Sequence, residues 1–75
     1  MPKRDPLLLK LGQSLKRHRE ASGFSQEQLA EAADIDRTYV SDIERGNRNP
    51  GIKNIARLAK ALGIKTAELC KGVDL

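Results

Sequence analysis

Apolar residues along this 75-residue chain recur with the spacing of α-helices rather than the alternation of β-strands. The first segment opens at Asp5 and Pro6, because Asp can cap free amides and Pro at the first helical position has no amide to lose. Gly23 supplies a left-handed stop. One face of the segment carries Leu8, Leu11, Leu15, His18 and Ser22. The pattern therefore predicts one amphipathic helix.

A capping signal marks the start of a second predicted helix. Ser25 can accept a hydrogen bond from the amide of Gln28 while the Gln28 side chain reaches back, as in a capping box. The helix is short and runs to about Ala33. A tight turn follows, in which Asp34 tolerates a positive φ and Asp36 caps the next helix.

The third predicted helix, Arg37 to Gly46, has two distinct faces. Val40 and Ile43 lie on the side that packs on the core. The other side is a row of hydrogen-bonding groups, formed by Arg37, Thr38, Ser41, Asp42 and Arg45. A helix with this division is suited to reading a polar partner.

Two more helices are predicted after a loop. The loop covers residues 46–51, GNRNPG, whose Gly, Asn and Pro residues disfavour regular structure. A fourth amphipathic helix spans 52–62, and Thr66 caps a short fifth helix over 67–71. The chain is thus expected to be all-α, a compact fold of five helices with no strand.

Composition favours a polyanionic partner and an intracellular setting. The net charge is +4 and the pI is near 9.6. Cys70 is the only cysteine, so no internal disulfide can form. No apolar run is long enough to span a bilayer and the N-terminus lacks signal-peptide order, so we expect a cytoplasmic protein. Residues 1–5 are expected to form a flexible basic arm and residues 6–75 one domain, with no second domain for a small-molecule effector.

The residue types disfavour an enzyme. One His, one Cys and scattered acids provide neither a metal-ligating cluster nor a nucleophile with its base. We therefore expect no catalytic residue, no metal and no cofactor.

The segment QEQLAEAADIDRTYVSDIERG resembles the helix-turn-helix of the phage-repressor or Cro-like superfamily, also called the XRE family. The resemblance extends over about residues 11 to 70 and implies a lambda-repressor-like DNA-binding domain. The segment DRTYVSDIERGNRNP is, more narrowly, similar to the controller proteins of bacterial restriction-modification systems. A generic repressor of phage or plasmid origin and an antitoxin-like protein-binding module are the alternatives.

The resemblance implies which residues read bases in the major groove of double-stranded DNA. Arg37 and Thr38 match the positions at the start of the recognition helix, and Ser41 and Asp42 match positions one turn further along. Asp42 has three open interpretations: accepting from a cytosine amino group, repelling other bases, or orienting Arg45.

A second group of residues is expected to contact DNA phosphates. Gln26 matches a phosphate clamp at the start of the second helix. Tyr39 is expected to be half-buried with its hydroxyl on a phosphate, or to have a packing role alone. Arg45 is expected either to contact a phosphate or to pair with Asp42 in an orienting role. The predicted phosphate contacts also include the loop residues Asn47, Arg48 and Asn49, with Arg17, Lys3 and Arg4 as outlying candidates.

Other matched positions are structural or depart from the family. Arg19 and Glu44 match a pair that joins the first and third helices. Asp34 replaces the usual turn Gly, at a small expected cost in stability. His18 is expected to be a half-buried ring, with a pH switch as the alternative, and Cys70 to pack near a subunit contact, with redox sensing as the alternative.

Specific binding is expected to require a homodimer, because one recognition helix reads only a few base pairs of a pseudo-palindromic operator. The predicted dimer patch comprises Ile64, Leu69, Val73 and Leu75, which alternatively only complete a monomer core. The controller resemblance implies activation at low concentration and repression at high concentration. Glu27 and Glu31 match an acidic patch that touches RNA polymerase in phage repressors, or are simply solvated.

Overall fold

The computed structural model describes residues 5–75, and within that range it contains five helices and no strand. The helices are α1 (Pro6–Ala21), α2 (Gln26–Ala33), α3 (Arg37–Glu44), α4 (Gly51–Ala61) and α5 (Thr66–Leu69). The predicted all-α class is confirmed. The predicted phosphate candidates Lys3 and Arg4 and the rest of the arm before Asp5 lie outside the described residues.

Three of the four predicted helix caps form. Asp5 accepts from the amide of Leu7 at 2.8 Å and caps α1. Ser25 and Gln28 form the capping box of α2. The prediction for Thr66 was wrong, because it is the first residue of α5 and Lys65 occupies the capping position.

The turn between α2 and α3 passes through a left-handed residue. Asp34 has φ 56° and ψ 50°, the conformation that the sequence predicts for it. Asp36 then caps α3 by accepting from the amide of Thr38 at 2.8 Å. Two helices joined by this short turn form a helix-turn-helix.

The core lies where α2, α3 and α4 meet α1 and α5. Its buried apolar residues are Leu11, Leu15, Leu29, Ala30, Ala33, Val40, Ile43, Leu58, Ala59, Leu62 and Leu69. Leu69 is only 1% exposed, so its assignment to the dimer patch was wrong. It completes the monomer core instead, because α5 turns this side chain inward.

The contact between α1 and the end of α3 is made at Gly12, which the sequence analysis missed. A methyl group at Gly12 would overlap the carbonyl oxygen of Ile43 and lie 2.6 Å from that of Glu44. Backbone atoms cannot move aside as a flexible side chain can. Gly12 therefore allows α1 and α3 to approach closely.

A polar contact joins α1 to α5. Ser14 is buried and its hydroxyl donates to the carbonyl oxygen of Leu69 at 2.6 Å. His18 is half-buried, as expected, with Nδ1 2.9 Å from the carbonyl oxygen of Ser14. The hydroxyl of Ser14 thus satisfies a carbonyl at the end of α5, which explains a polar residue in the core.

Candidate nucleic-acid interface

The outer face of α3 presents the predicted base-reading residues. Arg37 and Thr38 in its first turn are exposed, and Ser41 and Asp42 are half-buried one turn later. Val40 and Ile43 are buried on the other side of the helix, as the helical period of 3.6 residues places them. The predicted division of the helix is therefore confirmed.

The inner side of α3 is fixed to α1 by an ion pair. Arg19 donates from Nε to one oxygen of Glu44 at 2.6 Å and from Nη2 to the other at 3.0 Å. A third donor, Nη1, bonds the carbonyl oxygen of Phe24 at 2.8 Å. The hydrogen bond to Glu44 raises the pKa of the Arg19 guanidinium, although burial acts in the opposite direction. The predicted pairing of Arg19 with Glu44 is confirmed.

Gln26 contributes to the same ion pair. Its side-chain amide donates to Glu44 at 3.1 Å, so the predicted phosphate clamp is engaged with α3 in the free protein. The three donors around Glu44 come from α1 and α2. This carboxylate therefore ties three helices together behind the reading face.

The outer side of α3 carries a second ion-pair cluster. Asp42 accepts from Nη2 of Arg45 at 2.6 Å and from Nη2 of Arg48 at 3.5 Å. The hydrogen bond from Arg45, with help from Arg48, holds the pKa of the Asp42 carboxyl below its usual value. In the free protein Asp42 thus orients Arg45, one of the three predicted roles.

Tyr39 connects this cluster to α4. Its hydroxyl donates to the carbonyl oxygen of Pro50 at 3.3 Å and accepts from Asn54 at 3.2 Å. Asn54 also donates to Pro50 at 3.1 Å, and the guanidinium of Arg48 lies 4.8 Å from the centre of the Tyr39 ring. The ring is half-buried as predicted, but its single donor is used within the protein.

The sequence analysis did not include Asn54 in the site. An Asn in the first turn of a predicted helix usually reports capping or solvation, so its position alone carried no signal. Only the fold brings it to the hydroxyl of Tyr39.

The other predicted contacts lie on α1, on α2 and in the loop after α3. Asn47 and Asn49 are exposed in the loop after α3, and Arg17 is exposed on α1. Glu27 and Glu31 are exposed on α2 and line a shallow groove beside Arg37.

The predicted dimer patch is smaller than expected. Ile64 and Val73 are half-buried and Leu75 is fully exposed. Lys10 donates from Nζ to the carbonyl oxygen of Asp74 at 2.8 Å, which holds the end of the chain against α1. Cys70 is a free, half-buried thiol next to this patch.

Residues 5–75 hold no group of three or more His, Cys, Asp or Glu side chains placed to bind a metal ion. Over the same residues, none of the helices combines the length and apolar character needed to cross a bilayer.

Comparison with known families decides the identity of the fold. The family HTH_3, helix-turn-helix, matches residues 15–69. The chain belongs to this family. It is therefore a helix-turn-helix transcription regulator and not an enzyme.

Within the family, several similar proteins are controller proteins. Control protein C.BamHI of Bacillus amyloliquefaciens is 47% identical over 62 residues, which are 81% of this chain and 76% of that protein. The structure of the restriction-modification controller protein C.AhdI of Aeromonas hydrophila has a TM-score of 0.81 and 50% identity, over 83% of this chain and 94% of that one.

A third similar structure is a complex. The restriction-modification controller protein C.Esp1396I, solved as a tetramer with its natural 35-base-pair operator, gives a TM-score of 0.83 at 35% identity. The match covers 92% of this chain and 91% of that one. The predicted resemblance to controller proteins is thereby confirmed.

Proposed function

We propose that this protein is a restriction-modification controller that binds a pseudo-palindromic operator as a homodimer. The observation that carries the proposal is the construction of α3, whose outer face exposes Arg37 and Thr38 while Glu44 is fixed behind it by Arg19. A recognition helix needs both a polar outer face and a fixed orientation, since base contacts depend on placement. The similarity to C.BamHI and C.AhdI supports the narrower assignment.

Arg37 and Thr38 are the proposed base readers. Arg can pair bidentately with O6 and N7 of guanine, and Thr can contact a base edge or the thymine methyl group. Ser41 lies one turn further along α3 and adds at most a few bases to those that the helix contacts. These residues occupy the part of a recognition helix that enters the major groove first.

Phosphate contacts are proposed for residues that flank this face. Three of them, Arg45, Asn47 and Arg48, follow the end of α3 and enter the next loop. Gln26 is the first residue of α2, and Arg17 lies on α1. Tyr39 can join them only if its hydroxyl leaves Pro50. With roughly six phosphates contacted per dimer, the logarithm of the binding constant should fall with the logarithm of salt at a slope of about −5.

Residues 6–75 are proposed to act as one DNA-binding and dimerisation domain. Ile64, Val73 and Leu75 supply the apolar surface near the end of the chain. Two copies related by a two-fold axis would place their recognition helices in successive major grooves about 34 Å apart. The operator complex of C.Esp1396I, which is a tetramer, supports assembly of more than one subunit on DNA.

Regulation is proposed to follow protein concentration in the cytoplasm, where the operator lies. Low concentrations would activate a promoter and higher ones would fill a second site and repress it. Glu27 and Glu31 are the proposed contact for RNA polymerase, since both are exposed on α2. No small-molecule effector is required for such control.

Replacement of Arg37 by Ala tests the proposal. The operator is first located by footprinting on DNA upstream of the gene for this protein, and affinity is then measured by fluorescence anisotropy. Loss of a bidentate contact of about 1–3 kcal/mol predicts roughly 5- to 150-fold weaker operator binding per site. Sedimentation should find the same oligomer as in the wild type.

Arg57→Ala is the matched control, because Arg57 is an exposed arginine on α4 outside the proposed interface. It removes the same charge and should change operator affinity by less than about twofold. Equal losses for the two variants, or none for Arg37→Ala, would refute base reading by Arg37.

A further inference from the structure

The carboxylate of Asp42 lies between two groups of the proposed interface. It shares the outer face of α3 with the proposed base readers, and it pairs with Arg45 and Arg48, both proposed to bind phosphates. Its two oxygens are divided between them, Oδ1 on Arg45 and Oδ2 on Arg48. Both arginines therefore have an anionic partner within the protein itself.

The position of the pair allows exchange. About half of each arginine side chain is exposed, 55% for Arg45 and 48% for Arg48, and Asp42 is 20% exposed. Ion pairs with this exposure are weak, so phosphate oxygens can compete for the guanidinium groups. Arg48 is further restrained by the ring of Tyr39 beneath it.

Exchange has a consequence for the carboxylate. If both arginines turn to phosphates, Asp42 loses its partners close to a polyanion, which is unfavourable. A carboxylate released into the major groove can accept a hydrogen bond from an exocyclic amino group, as Asp does from N4 of cytosine. Where the groove presents only acceptors, no such compensation exists.

We propose that Asp42 is a specificity-determining residue that restrains Arg45 and Arg48 from phosphates unless the DNA offers its carboxylate a base amino group. This inference rests on the proposed DNA-binding function and adds a mechanism to it. Asp42 weakens binding to every DNA sequence because it holds the two arginines. On the operator, a hydrogen bond from a base amino group to its carboxylate offsets this loss of affinity. The acid thus raises the ratio of specific to non-specific affinity.

Asp42→Asn tests the mechanism, since the amide keeps the size of the side chain and removes its charge. Affinity is measured for the footprinted operator and for a duplex of the same length and base composition with a scrambled sequence. We expect roughly three- to tenfold tighter binding to the scrambled duplex, because weak exposed pairs no longer compete. Operator affinity should stay the same or fall, so that the specificity ratio drops.

Two controls separate this mechanism from simple loss of negative charge. Glu68→Gln makes the same charge change at an exposed residue of α5 and should alter non-specific affinity by less than about twofold. The second control introduces Asp42→Asn into a variant that already carries Arg45→Ala and Arg48→Ala. There the gain should disappear, because the restrained groups are absent.

Three results would overturn the proposal. One is a gain equal to that of Glu68→Gln, and another is a gain that persists without the two arginines, since both indicate general repulsion. The third is a loss of operator affinity with unchanged non-specific affinity, which indicates a base reader alone. Failure of the proposed function would differ from these, since the wild-type protein would then show no preference for the operator.

Discussion

Two carboxylates of the recognition helix, only two residues apart, hold arginines at the same distance in different surroundings. Glu44 meets Arg19 and Asp42 meets Arg45, each at 2.6 Å. The Glu44 side chain is 3% exposed and that of Arg19 is 11% exposed, whereas Arg45 is 55% exposed. The helix thus carries a buried pair on its inner side and an exposed pair on its outer side.

The contrast teaches that the length of an ion pair does not indicate its role. Removing one member of a buried pair leaves a charge without water or partner, which is strongly unfavourable. An exposed pair can replace its partner with water or a phosphate at little cost. Burial therefore separates the residues that hold α3 from those that are free to act on DNA.

The largest expected effect breaks the inner pair. Arg19→Ala leaves Glu44 buried with only Gln26 as its remaining side-chain donor, and should lower the free energy of unfolding by about 3 kcal/mol. Chemical denaturation followed by circular dichroism measures this change. Arg17→Ala, at an exposed position on the same helix, should change stability by less than about 0.5 kcal/mol. Similar values for the two variants would remove the distinction between inner and outer arginines.

A smaller effect is expected where the inner side of α3 rests on α1. Gly12→Ala gains about 1 kcal/mol of helix propensity, but its methyl group overlaps the backbone of Ile43 and Glu44. Overpacking of this kind costs about 1–3 kcal/mol, and the cost lies in the upper part of this range because the backbone is rigid. When the gain in helix propensity is subtracted, the variant should be about 1–2 kcal/mol less stable than the wild type.

The exposed neighbour Gln13 provides the control for this substitution. Gln13→Ala places its methyl group at an exposed position without a steric clash. Its free energy of unfolding should be nearly that of the wild type in the same denaturation experiment. A Gly12→Ala variant as stable as Gln13→Ala would mean that the ion pair alone holds the inner side.

The smallest expected effect belongs to the outer pair and depends on pH. Because the pKa of Asp42 is lowered in the folded protein, its contribution to stability is complete above the pKa of the unfolded carboxyl. It is lost as the pH falls through the folded value. The melting temperature of Asp42→Asn should therefore lie slightly below that of the wild type at neutral pH and converge with it in acid. A difference that grows on acidification would contradict the lowered pKa.

Much of the fold follows from local signals in the sequence. The caps at Asp5, Ser25 and Asp36 each depend on residues within three positions, and all three form as predicted. The left-handed conformation of Asp34 is also local. The pairing of Arg19 with Glu44 joins distant segments, and the family resemblance, not a local signal, predicts it. Short-range pattern therefore fixes where these helices begin and turn.

What the sequence could not predict depends on contacts between distant segments. Gly12 appears in the sequence as an ordinary glycine within a helix, and only the crossing with α3 gives it a role. Ser14 interrupts the apolar face until α5 brings a carbonyl to its hydroxyl. Leu69 was assigned to a subunit contact because pattern alone cannot tell a core side chain from an interface one. The sequence likewise leaves phosphate contact and packing open for Tyr39, because it does not show that the carbonyl oxygen of Pro50 lies near the hydroxyl.

The backbone contact at Gly12 has a consequence for engineering new DNA specificities. At Gly12, α1 packs against the carbonyl groups of Ile43 and Glu44, which every sequence of α3 would retain. The orientation of α3 within the domain is then set independently of the side chains on its outer face. Libraries randomised at positions 37, 38 and 41 should therefore share one docking frame, and their selected operators should differ in base sequence while keeping the same spacing between half-sites.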